Sequence, residues 1–180
     1  MQNQSQRRSF LKKGLLGVAA LAAAGTTYKI IDAHLHPDLG PGKYILDDNA
    51  KMVLAALIPV FLQGALPNES GALSAAVQKS ITHVQDAVSS LPLIAQKEVA
   101  DLFNLLAAAP ARRWLAGVAD EWPQARAEQI RTFLQAWRGH RSPTLQSGYL
   151  ALHDLVIGPW YGDESTWASI GYPGPIKELR

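Results

Sequence analysis

The sequence predicts an all-α fold: a single irregular bundle of about five to six helices, entered by an N-terminal leader and closed by a non-helical aromatic tail. Three observations point there. Apolar residues recur at spacings of three and four between residues 46 and 157, the signature of a buried helix face. Prolines, glycines and capping residues punctuate that stretch at helix-sized intervals. No sustained alternation of apolar and polar residues marks a sheet. The chain divides into a leader (1–24), an extended arm (25–45), the bundle (46–157) and the tail (158–180).

The leader comes first. Arg7 and Arg8 precede Phe10-Leu11-Lys12, and an apolar run of small residues from Gly14 to Ala24 carries no acid. A charged start, an apolar middle and a small-residue exit form a secretory leader. The paired arginines with Phe10, Leu11 and Lys12 behind them resemble the twin-arginine export signal, an address read by a receptor. A basic, flexible N-terminus would account for Arg7 and Arg8, but not for the ordered change from charge to apolar run to Ala22-Ala23-Ala24. The run is short and alanine-rich for a membrane span, which takes roughly 20 mainly apolar residues. Cleavage after Ala24 would leave Gly25 as the mature N-terminus. The expected location is periplasmic, with membrane association if the leader stays uncleaved.

In the arm, Ile30 and Ile31 suit a short strand, and Pro37, Gly40, Pro41 and Gly42 interrupt any regular structure beyond it. The first helix is expected after Asp47 or Asp48, both good N-caps. Its face is Val53, Leu54, Leu57, Ile58, Phe61 and Leu62, with a bend at Pro59 and an end near Gly64 or Leu66-Pro67. The second spans about 70–89 with Leu73, Val77, Ile81, Val84, Val88 and Leu91 on one apolar face. The third spans about 93–108 with Ile94, Val99, Leu102, Phe103 and Leu106 inward. A short fourth helix is expected over 112–118. A fifth begins near Pro123, with apolar positions Ala127, Ile130, Phe133, Leu134 and Trp137 and Gly139 as its stop. The sixth starts at Ser142-Pro143 and reaches about Ile157, burying Leu145, Tyr149, Leu152 and Val156.

Composition narrows the function. The whole chain has 17 basic and 15 acidic side chains and no cysteine. Four of the basic residues lie in the leader, so the body carries about −2 and no basic stripe, which argues against a nucleic-acid partner. Without cysteine there are no disulfides, thiolate ligands or thiol nucleophiles. Roughly 155 residues beyond the leader suffice for one domain with its own core.

Ile31-Asp32-Ala33-His34-Leu35-His36-Pro37 is the sharpest catalytic candidate. His34-x-His36 after an apolar pair resembles the first-strand metal motif of amidohydrolases, because residues two apart on a strand face the same side. Those enzymes resemble large barrels, whose later strands supply further ligands. Here His83, His140 and His153 all fall on or beside helices, so a polar arm is the simpler account. His153 and Asp154 read as a partly buried histidine beside a solvated acid. No Gly-x-Ser-x-Gly elbow, Gly-x-Gly-x-x-Gly turn or phosphate-binding loop occurs. The chain therefore offers no cofactor cradle of its own. Trp114, Trp122 and Trp137 read as core or groove-lining rings. Trp160, Tyr161, Trp167 and Tyr172 crowd the last stretch with Pro173. They suit either a partner surface or a staple that holds the tail to its own bundle.

At these residues the chain resembles the gluconate 2-dehydrogenase subunit 3 type, the small subunit of periplasmic flavin-dependent dehydrogenases. The marks are the twin-arginine leader, the early apolar helix with Leu57-Ile58-Pro59, and the ending Tyr161-Gly162 … Trp167-Ala168-Ser169-Ile170-Gly171-Tyr172-Pro173-Gly174. The resemblance implies a non-catalytic accessory subunit. Its partner would be a flavoprotein large subunit of the glucose-methanol-choline type, which would hold the FAD. A c-type cytochrome would be a further partner, and Arg7 and Arg8 would engage the twin-arginine export machinery. Trp160, Tyr161, Trp167, Tyr172 and Pro173 would form part of the docking surface. The alternatives are a small metal-dependent hydrolase using His34 and His36, and a free-standing exported helical binding protein.

Overall fold

The structure is a computed structural model that describes residues 44–167 and 171–174. Readings that fall on residues 1–43 lie outside the described residues. These include Arg7, Arg8, Phe10, Leu11, Lys12, the Ile30-Ile31 strand, and His34 and His36.

Every regular element among the described residues is helical. The helices are α1 (Asp48–Phe61), α2 (Ser70–Ser89), α3 (Leu93–Ala107), α4 (Ala127–Arg138), α5 (Pro143–Gly162) and α6 (Glu164–Trp167). A π-turn at Ala111–Leu115 and a 3-10 turn at Trp122–Gln124 join α3 to α4. The all-α bundle expected from the periodicity is the fold observed.

The bundle is built around α1. Asp47 caps it, its carboxylate accepting from the Ala50 N–H at 2.7 Å, which satisfies one of the free donors at the helix start. Val53, Leu54, Leu57 and Ile58 are completely buried. They occupy two adjacent rows rather than one stripe, so α1 can be covered from several sides. It packs against α2, α3, α4, α5 and the 3-10 turn. The chain entering α1 is extended and fixed to α2: the Leu46 N–H donates to Gln85 Oε1 at 3.2 Å, and Tyr44 is buried. Burial also pushes the Tyr44 phenol upward, with Asp47 adding to the shift.

Around this axis, Val77, Ile81, Val84 and Val88 face inward from α2, and Val99, Phe103 and Leu106 from α3. On α4 the inner face is Ile130, Phe133, Leu134 and Trp137. Phe133 and Trp137 meet edge to face at 4.9 Å, a favoured ring geometry. The indole N–H of Trp122 donates to the Leu106 carbonyl at 2.9 Å, and that of Trp137 to the Leu115 carbonyl at 3.1 Å. Both buried rings thus satisfy their polar handle while closing a backbone end.

Five expectations are corrected. Helix α1 stops at Phe61 rather than near Gly64 or Leu66-Pro67, and Gly64 takes a positive φ of 86° just beyond it. Ile94 is 78% exposed, because α3 begins at Leu93 and its first turn projects past the core. The segment expected as a fourth helix is the π-turn. Helix α4 starts at Ala127, not Pro123, which leaves Ala127 exposed on the first turn rather than on the inner face. Pro123 instead lies in the 3-10 turn that seats Trp122, closed by the Ala125 N–H on the Trp122 carbonyl at 3.2 Å. Finally, α5 continues through Gly158-Pro159 to Gly162, so the tail is helical at first and its irregular part begins later than residue 158. Leu152, Val156 and Trp160 recur every four residues and are all buried. Burying Trp160 on that stripe rewards the extra turn. Gly158 helps, since it has no Cβ to collide with the following proline ring.

Helix α5 lies close against α4 at Gly148, where an added Cβ would lie 2.7 Å from Cζ3 of the Trp137 ring. Gly148→Ala should therefore lower stability by about 1–3 kcal/mol through overpacking. Gly71→Ala, on open surface, should change it by no more than about 0.5 kcal/mol. Denaturant midpoints of the two variants check this, and equal midpoints would refute the close approach.

Candidate functional site

The aromatic residues near the C-terminus begin on the last turn and a half of α5. Trp160 points inward and is 4% exposed, whereas Tyr161, next along the helix, is 41% exposed. A rotation of about 100° per residue separates the two rings to different sides. At Asp163 the chain turns, and α6 follows. The Thr166 hydroxyl, buried at this corner, donates within a network that includes the Trp160 and Asp163 carbonyls, each at 2.8 Å.

Trp167 closes the corner from outside. Its indole N–H donates to the Tyr161 carbonyl at 2.8 Å, and its ring meets Tyr172 edge to face at 5.1 Å. The Tyr172 N–H returns to the Trp167 carbonyl at 3.0 Å. Gly171 takes a positive φ of 71° to make that return, a backbone shape glycine adopts without a steric penalty. Gly174, also at positive φ, passes close under the Trp167 ring. Tyr172 remains 46% exposed and Pro173 is exposed. The structure thus gathers Tyr161, Trp167, Tyr172 and Pro173 into one partly exposed patch and sets Trp160 apart as core.

What fixes this corner to the bundle was not visible in the sequence. Lys79 on α2 reaches Asp163 Oδ2 at 2.5 Å and Ser165 Oγ at 2.6 Å. The Ser165 N–H and hydroxyl also donate to the Asp163 carboxylate, at 3.0 and 2.9 Å. His83 Nε2 stands 3.8 Å from the same carboxylate. The Lys79 hydrogen bond, followed by the Ser165 N–H, holds the Asp163 carboxyl at about 2. Asp163-x-Ser165 ahead of an apolar residue is a recognisable helix-start pattern, and it could have revealed α6. Nothing local points to Lys79, which is 86 residues from Ser165.

Two buried ring nitrogens, His83 Nδ1 and Trp160 Nε1, have no hydrogen-bond partner among the described residues. His153 lies half-buried between Phe61 and Tyr149, 5.9 and 5.8 Å away. It touches the largely exposed Asp154 at 2.9 Å. That matches a partly buried histidine beside a solvated acid. Trp122 and Trp137 are core, but Trp114 stands 90% exposed at the rim of a groove.

Among the described residues, no group of three or more His, Asp or Glu side chains is arranged to hold a metal ion. No helix among them is long and apolar enough to cross a membrane. Comparison with protein-family models, with curated proteins and with solved structures gives no match to this chain.

The two rings next to each other in sequence should behave oppositely. Trp160→Ala should cost about 3–5 kcal/mol, as for a large buried ring. Tyr161→Ala should stay within about 1 kcal/mol. Thermal or denaturant unfolding checks both, and comparable losses would contradict the division.

The Asp163 clamp makes a pH prediction. Its carboxyl is depressed in the folded state relative to an unfolded value of about 4. The clamp's contribution is therefore fully present above about pH 4 and lost as pH falls toward about 2. Tryptophan emission should report loosening of the α5–α6 corner over that window, and Asp163→Asn should remove this transition. An unchanged transition in the variant would place its origin elsewhere.

Proposed function

We propose that this chain is a non-catalytic accessory subunit. It escorts a flavoprotein dehydrogenase of the glucose-methanol-choline type through twin-arginine export and supports its maturation and assembly. Arg7 and Arg8, followed by Phe10, Leu11 and Lys12, serve as the export address for both chains. The partner holds the FAD and carries out the chemistry, and a c-type cytochrome takes the electrons onward. In this reading the assembled complex works in the periplasm.

The observation that carries the docking half of the reading is the patch at the α5–α6 corner. Trp167 is held on the Tyr161 carbonyl and against the Tyr172 ring, both tyrosines are in reach of solvent, and Asp163 and Lys79 fix the backbone beneath them. Rigidly held aromatic rings are efficient interface anchors, because little side-chain freedom is lost when a partner covers them. Trp160 belongs to the bundle, so the contact falls to Tyr161, Trp167, Tyr172 and Pro173.

Co-expression with a leaderless flavoprotein encoded beside this chain tests the reading. With Arg7 and Arg8 both changed to Lys, dehydrogenase activity should remain in the cytoplasmic fraction, and activity that still reaches the periplasm refutes the escort role. The Tyr161→Ala/Tyr172→Ala pair should weaken co-purification by about thirtyfold in affinity, the scale of a lost interface anchor, while lowering the unfolding midpoint far less than Trp160→Ala does. Retention equal to the unaltered chain would remove the patch from the interface.

A further inference from the structure

The π-turn Ala111–Leu115 presents a second surface, built from other elements than the α5–α6 corner. It closes with the Ala116 N–H on the Ala111 carbonyl and the Val118 N–H on the Arg112 carbonyl, each at 2.9 Å. The wide turn directs Arg112 and Ala116 inward and leaves Arg113, Trp114 and Leu115 outside. Arg112 is 4% exposed, and its Nε has no hydrogen-bond partner among the described residues. π-turns are rare elements that recur at functional sites.

This turn is braced. The Trp137 indole holds the Leu115 carbonyl, and Trp137 is itself locked by Phe133 and by the close approach of Gly148. The exposed Trp114 ring therefore stands on a rigid base. Beside it lies a concave groove of about 390 Å³, with Leu115, Gln129, Thr132 and Phe133 along its walls and Arg126 at its edge. That volume is in the range of sites that take a small ligand or one large side chain.

Charge identifies the occupant. Glu128, the acid at the groove, is already engaged by Arg131. Arg113 and Arg126 make no ion pair among the described residues. An exposed tryptophan sharing a groove with the unpaired Arg126, and preceded along the chain by the exposed, unpaired Arg113, combines residue types that are enriched in interface hot spots. A flat anionic bilayer would meet the same rings and charges, but the concavity favours an object that can enter it. We propose that the π-turn and the adjoining face of α4 dock a short peptide segment of a partner protein, one large apolar side chain of which fills the groove beside Trp114 while flanking carboxylates meet Arg113 and Arg126. The assignment rests on this turn alone and is independent of the export partner.

Panning a displayed random peptide library against the full chain tests it. Selected peptides should carry Asp or Glu next to a large apolar residue. As free peptides they should bind the chain in fluorescence anisotropy, more weakly as salt rises. Trp114→Ala and the Arg113→Glu/Arg126→Glu pair should each weaken them by about tenfold or more. All these side chains are on the surface, so the melting temperature should stay unchanged and separate a lost contact from a lost fold. The proposal is overturned by selection of basic or neutral peptides, by none at all, or by undiminished binding to the variants. It is also overturned if anionic phosphatidylglycerol vesicles, rather than peptides, bind in a Trp114-dependent way. Self-association of the chain that disappears in Trp114→Ala would equally overturn it, by making the occupant a second copy.

Discussion

Burial of α1 from several directions is the constraint on which the remaining structure depends. Val53, Leu54, Leu57 and Ile58 have no exposure at all, and full burial of such side chains contributes about 1.5–3 kcal/mol each. With no cysteine in the chain, cross-links cannot supplement that contribution. Helix α3 is held chiefly by that axis, whereas α5 packs mainly on α2 and α4 and closes the bundle around it. Pro59 is tolerated within α1. It removes one helical donor near the end of α1, a loss that the packing of the buried Leu57, Ile58 and Leu62 around it offsets.

A second constraint sits where α4, α5 and the π-turn converge on Trp137. Its ring stacks edge-on with Phe133, its N–H holds the Leu115 carbonyl, and Gly148 makes room for it. One side chain thereby couples three elements. The consequence reaches the surface: the segment bearing Trp114 is as rigid as the core residue that ties it down.

Much of this fold could be read from residue spacing. The bounds of α2 and α3, the inner faces of α2 and α4, and the Asp47 cap follow from apolar periodicity and capping chemistry. The departures have a common cause. Gly158-Pro159 and Trp122-Pro123 read as local punctuation, but in each case burial of a tryptophan decides the backbone: Trp160 prolongs α5, and Trp122 draws its proline into a 3-10 turn. The exposed Ile94 errs in the opposite direction, because periodicity marks which residues share a face without saying where the neighbouring helices end. The candidate patch is legible as a concentration of rings. Its division into core Trp160 and exposed Tyr161 and Tyr172 requires knowing that α5 continues. The Lys79–Asp163 clamp depends on which helix lies alongside, and no local pattern carries that information.

Continuation of α5 past Pro159 also decides what the C-terminal rings can do. Had the helix ended at Ile157, Trp160 and Tyr161 would have belonged to one irregular segment, equally free to fold back or to face outward. On a helix they cannot share a fate: the stripe that buries Leu152 and Val156 takes Trp160 and turns Tyr161 away. Asp163 then bends the chain within reach of Lys79, which sets Trp167 over the Tyr161 carbonyl and Tyr172 against Trp167. Stapling and presentation are therefore successive steps along one short stretch of chain. The buried ring and the ion pair supply the stapling, and the rings they leave outside are held ready for contact because of it.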